Sequence, residues 1–260
     1  MSSIDAAAFS LQGKKGLVLG LANERSIAWA CACLAREQGA EVVASCLNDK
    51  ARVHVQPLTD AADITLVNCN VEQPGELPAL VQQAVQRLGR LDFVIHSIAW
   101  APLAELHGAV TDSSGEGFGR AMRVSCHSFA ELARLVAPHM GDGGSLVTMS
   151  YLGANVAVPN YGLMGPVKAA LESLVRYMAQ ELGPQRLRVH AVSAGPILTR
   201  AASGLDRFDE LMQRAEQKAP LGRLVTPDEV AGLSLFLCMD AAAGMSGQTL
   251  YVDGGYHAVD

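Results

Sequence analysis

The chain has 260 residues, half of them apolar and 18% charged, with a formal net charge of -6, which is ample for a buried core and unlike a disordered composition. An acidic balance gives no overall attraction to phosphate backbones or anionic bilayers, so neither nucleic acid nor membrane is an expected partner. The six cysteines, at 31, 33, 46, 69, 126 and 238, lack zinc-site or disulfide-framework spacing and read as reduced core thiols, with no metal site expected.

Met1 to Lys14 shows no basic segment followed by an apolar one, so it does not resemble a secretory signal. The longest nearly apolar run, Ile27 to Ala35, falls far below the ~18 residues of a membrane span. The expected location is the cytoplasm. Short apolar runs at Gly16 to Leu21 and Glu41 to Leu47 flank a helical pattern at Ser26 to Gln38, which is a βαβ unit. Further strand-like runs follow at Ile64 to Val71, Leu91 to Ala99, Ser145 to Ser150, Leu187 to Ser193 and Thr249 to Val252, with helical patterns at 76 to 88, 115 to 139, 166 to 182 and 227 to 238. Parallel strands need crossovers, and crossovers cover the sheet. The fold class expected is α/β: one doubly wound Rossmann-type domain over 1–260, a seven-stranded mostly parallel sheet with helices on both faces. No repeat or linker divides it.

Ligands of such sheets bind beyond the carboxyl ends of the strands. The first strand runs into Gly20-Leu21-Ala22-Asn23-Glu24-Arg25-Ser26-Ile27. There Gly20 permits a tight turn, Ala22 a close approach, and Ser26 and Ile27 offer helix-start amides to a pyrophosphate. The segment departs from Gly-x-Gly-x-x-Gly, and an ordinary strand-to-helix turn is the competing reading. After the second strand, Cys46-Leu47-Asn48-Asp49-Lys50 mixes acidic and basic residues, so NAD and NADP both remain open at this point. Asn70 and Val71 are placed to line an adenine, and Ser97, Ile98 and Ala99 to run beneath the nicotinamide ribose. His96, inside an apolar strand, reads as a hydrogen-bonded core residue rather than a catalytic base.

The fifth strand delivers Tyr151, and a loop carrying Pro159 leads to Tyr161 and then Lys168. On a continuous helix that last spacing would separate the pair by about 10.5 Å. Gly165-Pro166 alters the geometry, because the residue before proline avoids the α region while proline suits a first turn. The helix is therefore expected to begin near Gly165, with Tyr161 in an irregular lead-in. A phenol near an ammonium becomes a better donor to a substrate oxygen, which makes Tyr161 and Lys168 the candidate chemical pair and Tyr151 its support.

Tyr161 and Lys168 in a Tyr-x6-Lys spacing, with Gly20-x5-Ser26-Ile27-Ala28, His96-Ser97-Ile98, Met149-Ser150-Tyr151-x-Gly153, Ser193-Ala194-Gly195-Pro196-Ile197 and Val252-Asp253-Gly254-Gly255, resemble the NADH-dependent enoyl-acyl-carrier-protein reductases. These are a divergent branch of the short-chain dehydrogenase/reductase family, whose ordinary members use Tyr-x3-Lys. The resemblance runs nearly end to end. It implies hydride transfer from NADH, with NADPH not excluded, to C3 of a trans-2-enoyl thioester. Tyr161 would then hydrogen-bond the thioester oxygen, Lys168 hold the ribose and Tyr151 position substrate. It also implies cofactor contacts from Ala194, Pro196, Ile197 and Thr199, substrate contacts from Ala101, Met164, Ala201 and Phe208, a lid over about 197–223, and a homotetramer. Leu47, Asn70 and Ala99 depart from the glutamine, aspartate and glycine frequent in that branch. Loss of one hydrogen bond to a charged group costs ~1.5 to 3 kcal/mol, so weakened cofactor affinity is expected. Arg207, Arg214 and Lys218 fall on one side of the helical pattern at Phe208 to Lys218, with Asp209 and Glu216 opposite, a face suited to the acidic acyl carrier protein. The alternatives are a short-chain dehydrogenase acting on a carbonyl or alcohol and a dinucleotide-binding protein without activity.

Overall fold

Seven parallel strands form one sheet in the order β3-β2-β1-β4-β5-β6-β7. The computed structural model describes residues 6–198 and 207–259, so Thr199 and Ala201 of the expected site, and part of the expected lid, lie outside the described residues. In chain order the elements are β1 (Lys15–Leu21), α1 (Ile27–Glu37), β2 (Glu41–Cys46), α2 (Asp49–Ala61), β3 (Thr65–Asn68), α3 (Glu76–Leu88), β4 (Phe93–His96), α4 (Leu103–His107), α5 (Gly115–Met122), α6 (Ser128–Val136), β5 (Gly144–Ser150), α7 (Met164–Leu182), β6 (Leu187–Ala194), α8 (Phe208–Lys218), α9 (Pro227–Phe236) and β7 (Gln248–Val252).

Successive strand side chains point to opposite faces, so one apolar strand feeds two cores. Leu17 and Leu19 of β1 pack with α3, α6 and α7, while Val18 packs on the other face with α1 and α9. The order reverses where β1 meets β4, and that reversal opens a crevice above their carboxyl ends. His96 ends β4 and fills core space beside β5 and α6: fully buried, it bonds Thr148 Oγ1 at 3.1 Å and Ser128 Oγ at 2.8 Å. Burial holds its pKa down at about 3, so the ring is neutral.

Four departures from the sequence reading have local causes. The third and fourth strands are shorter than their apolar runs: Ser97, Ile98 and Ala99 continue as loop lining the crevice, and Cys69, Asn70 and Val71 leave the sheet as loop and turn. Helix α2 was not foreseen: it buries only Ala51, Val55 and Thr59, one residue per turn, and carries Pro57 in its middle. Pro57 is exposed, so the bond its missing N–H removes is one water can replace. The expected helix over 115 to 139 is divided by a π turn at Arg123–His127. Finally, Arg207 lies outside α8. It caps that helix in a left-handed conformation (φ 47°) and pairs with Glu210 at 3.8 Å, so it does not share a helix face with Arg214 and Lys218.

Candidate active site

The floor of the crevice is made by a glycine that no other residue replaces. Gly20 has φ +102°, and a Cβ there would lie 2.2 Å from the Ser97 carbonyl oxygen. The β1–β2 register slips across this residue, which turns the chain into α1. Ser26 caps that helix, its Oγ accepting from the Trp29 amide at 3.3 Å and donating to the Asn23 carbonyl at 2.7 Å. The first-turn amides of Ile27 and Ala28 have no intrahelical acceptor and suit an anion.

Tyr151 follows β5, and Tyr161 sits in the irregular lead-in to α7, which begins at Met164 with Pro166 in its first turn. Left-handed residues stand on both sides of Tyr161, Asn160 at φ 64° and Gly162 at φ 51°. These turns free its side chain from helical spacing. The two tyrosine rings meet at 4.6 Å between centroids, tilted by 55°. Gly153 makes room for them, since a Cβ there would fall 2.4 Å from the Tyr161 ring and 3.2 Å from Tyr151. Gly165 in turn faces the Gly153 carbonyl oxygen, 3.2 Å from where its own Cβ would be.

One cavity gathers most of the expected residues. Gly20, Ala22, Ser26, Ile27, Ser97, Ile98, Ala99, Ala101, Tyr151, Tyr161, Met164, Lys168, Ala194, Pro196, Ile197 and Phe208 all line it. Leu47, Asn70 and Val71 do not line it. Leu47 is 52% exposed, and the Asn70 side chain folds onto its own turn, its Oδ1 accepting from the Glu72 amide at 3.0 Å. The residues expected around the adenine thus lie outside the cavity, while those expected around the nicotinamide line it.

Lys168 is 4% exposed and donates to the Met149 carbonyl at 2.6 Å, leaving two ammonium protons for the cavity. Burial lowers its pKa to about 8, partly countered by Cys126 and Glu172. Tyr161, 7% exposed, is shifted the other way: burial, then Tyr151 and Glu172, drive its phenol well above the usual tyrosine range. Its hydroxyl is therefore a neutral hydrogen-bond donor. Tyr151 is also held neutral, by burial and the neighbouring Tyr256, against the pull of Arg214. Its hydroxyl is buried without a hydrogen-bond partner among the described residues, a vacancy a polar ligand atom would fill.

Glu172, Ser150 and Trp100 were missed. Glu172 is 4% exposed and accepts from Ser150 Oγ at 2.5 Å and Asn155 Nδ2 at 3.0 Å, with Asn155 also bonding the Tyr251 hydroxyl at 3.1 Å. This network ties the end of β5 and helix α7 to β7. Its signal was present in the sequence, because Lys168 and Glu172 both fall in phase with the buried stripe Met164, Val167, Leu171 and Val175.

The chain is similar to known proteins along nearly its whole length. Residues 20–257 match a family model described as enoyl-(acyl carrier protein) reductase. An NADH enoyl-acyl-carrier-protein reductase of Synechocystis sp. (strain ATCC 27184 / PCC 6803 / Kazusa) is 43% identical over 95% of this chain and 97% of its own. The crystal structure of an Anaplasma phagocytophilum reductase in complex with NAD superimposes with TM-score 0.91 at 39% identity, covering 99% of this chain and 98% of that one. A Bacillus cereus enoyl-acyl carrier protein reductase with NADP+ and indole naphthyridinone does so with TM-score 0.93 at 37% identity, covering 96% and 98%. The chain belongs to the enoyl-acyl-carrier-protein reductase family.

Proposed function

We propose that the protein reduces trans-2-enoyl thioesters of acyl carrier protein with NADH, as a step of fatty-acid biosynthesis. The observation that carries this reading is Tyr161: a neutral phenol set by two left-handed residues in the same apolar cavity as the Lys168 ammonium. The Gly20 cradle and the α1 amides fit a dinucleotide, and Lys168 has protons to spare for a ribose hydroxyl. When bound, the dihydronicotinamide supplies a hydride to C3 of the enoyl chain. Tyr161 donates its hydrogen bond to the thioester oxygen, where negative charge grows, and stays protonated because burial opposes the phenolate. Tyr151 offers its unpartnered hydroxyl to the same substrate. Apolar walls from Ile98, Met164 and Phe208 exclude water from the transfer.

NADH is favoured over NADPH because the guanidinium after β2 is already committed. Arg52 donates to Asn68 Oδ1, Gln56 Oε1 and the Leu66 carbonyl, each at 2.9 Å, and is not spare for a 2′-phosphate. The carrier protein docks on the side of α8 that bears exposed Arg214 and half-buried Lys218. The enzyme works in the cytoplasm as a homotetramer, a reading supported by an open apolar groove where Met122, Cys126, Ala130 and Leu174 of the α5–α7 side meet. No described helix is long and apolar enough to cross a membrane. The test is oxidation of NADH and NADPH by purified protein with a series of enoyl thioesters. Turnover with NADH is expected; tight NAD(H) binding with no turnover overturns the reading.

A further inference from the structure

Trp100 lines the cavity yet is 38% exposed, so it stands at the mouth. Two sets of contacts fix it there. Ser125, fully buried in the π turn, accepts from the Trp100 amide at 2.7 Å and donates to the Trp100 carbonyl at 2.7 Å. Over the ring lies the Arg120 guanidinium, 4.7 Å from its centroid. Glu72 holds that guanidinium through two bonds, Nε to Oε1 at 3.0 Å and Nη2 to Oε2 at 3.3 Å.

A surface tryptophan ordinarily samples several rotamers, and ordering it on binding costs affinity. Here backbone and ring are both ordered beforehand. The fork geometry of arginine is suited to this, since one guanidinium can stack on a ring and grip a carboxylate together. The pair adds little to the core, because Arg120 and Glu72 keep 40% and 23% of their side chains exposed. We propose that Arg120 is a positioning residue for substrate: it holds Trp100 as a fixed wall against the acyl tail, with Glu72 as its anchor. The inference rests on the cavity being the enoyl-thioester site. The tail, rather than the thioester, is the group concerned because Trp100 is flanked by apolar surface, with Leu106 inside the cavity and Leu103 60% exposed beyond it.

The chain has two tryptophans, at 29 and 100, so Trp29→Phe leaves Trp100 as the sole indole reporter. In that parent, Arg120→Met is expected to raise KM for a dodecenoyl thioester roughly three- to tenfold, the worth of a cation–π contact. The crotonyl KM and both kcat values should stay within about twofold, because the reacting atoms are untouched. Acrylamide quenching of Trp100 should rise in parallel. Glu72→Gln should shift both readings the same way to a smaller extent, and Arg120→Lys should not restore them. Unchanged quenching, an equal KM rise for both chain lengths, or a fall in kcat alone would each overturn the proposal. Absence of turnover in the unsubstituted protein, with tight NAD(H) binding, would instead overturn the reductase reading, and quenching in Arg120→Met would still decide whether the arginine fixes the ring.

Discussion

The two ends of the cofactor crevice are built to different standards. At the nicotinamide end, Tyr151, Tyr161 and Lys168 are each less than a tenth exposed, and neighbouring backbone fixes them before anything binds. At the adenine end, Leu47 projects into solvent, and Asn70 spends its side-chain oxygen on its own turn. Enclosure makes donors effective where charge develops, whereas an open surface contributes affinity alone. The contrast separates rate from affinity within one site: changes at the enclosed end should act mainly on kcat, and changes at the open end on cofactor KM.

The largest effect is expected from Tyr161→Phe, which removes the proposed oxyanion donor and keeps the ring. Steady-state kinetics should show kcat lower by about 10² to 10³-fold, the usual loss for one such donor, with NADH affinity little changed. Near-wild-type kcat would move the donor elsewhere, with Tyr151 the first candidate. Next comes Gly153→Ala. Its methyl must displace the Tyr161 ring, and small misplacements of reacting groups cost up to about 10²-fold, so kcat should fall while thermal unfolding shows a folded protein. If activity survived, the ring placement would not be rate-determining.

Lys168 gives a smaller, graded test. Its folded pKa of about 8 lies below the ordinary 10.5, so the ammonium is present below pH 8 and lost above it. The free-enzyme profile of kcat/KM for NADH should therefore decline above about pH 8. Stability should move oppositely. Below that pH both folded and unfolded chains carry the proton and the burial penalty is full; between about 8 and 10.5 the unfolded chain binds more, so stability contributed by this group rises with pH. A flat rate profile to pH 10 would mean that the charge is not used. Smallest of all is Leu47→Gln, which adds a donor at the open end. One new exposed hydrogen bond is worth about 0.5 to 1.5 kcal/mol, so isothermal titration should show NADH binding tightened by a few-fold at unchanged kcat. A change in kcat there would erase the division between the two ends.

Much of this was legible in the chain because the parallel sheet writes itself as apolar runs, and because ligand residues sit where those runs stop. Gly20, Ser97 and Tyr151 were found that way, whereas Ala194 came from the family resemblance. Helix α2 was not, since a stripe of Ala51, Val55 and Thr59 is too narrow to separate from loop, and Pro57 argued against it. The π turn was invisible for another reason: it is stabilised by Ser125 bonding to Trp100, a partner distant in sequence. Spacing locates a lysine near a tyrosine but does not report which carbonyl the ammonium grips, here that of Met149, or how dry the Tyr161 hydroxyl is. Glu172 was readable and overlooked, a charge hidden in the phase of an apolar face.

The packing of Gly165 on the Gly153 carbonyl bears on how this family stands to its relatives. A lysine four positions after Tyr161, as ordinary short-chain dehydrogenases have, would occupy position 165. Its Cβ would press on that carbonyl at 3.2 Å, and Gly153 cannot retreat without disturbing both tyrosine rings. Continuing α7 backward to bring such a lysine into register would also require Asn160 and Gly162 to leave their left-handed conformations. The two lysine spacings are therefore not joined by a single substitution. Passing between them also requires the turn from Gly153 to Gly165 to adjust, so the longer spacing and this turn belong together.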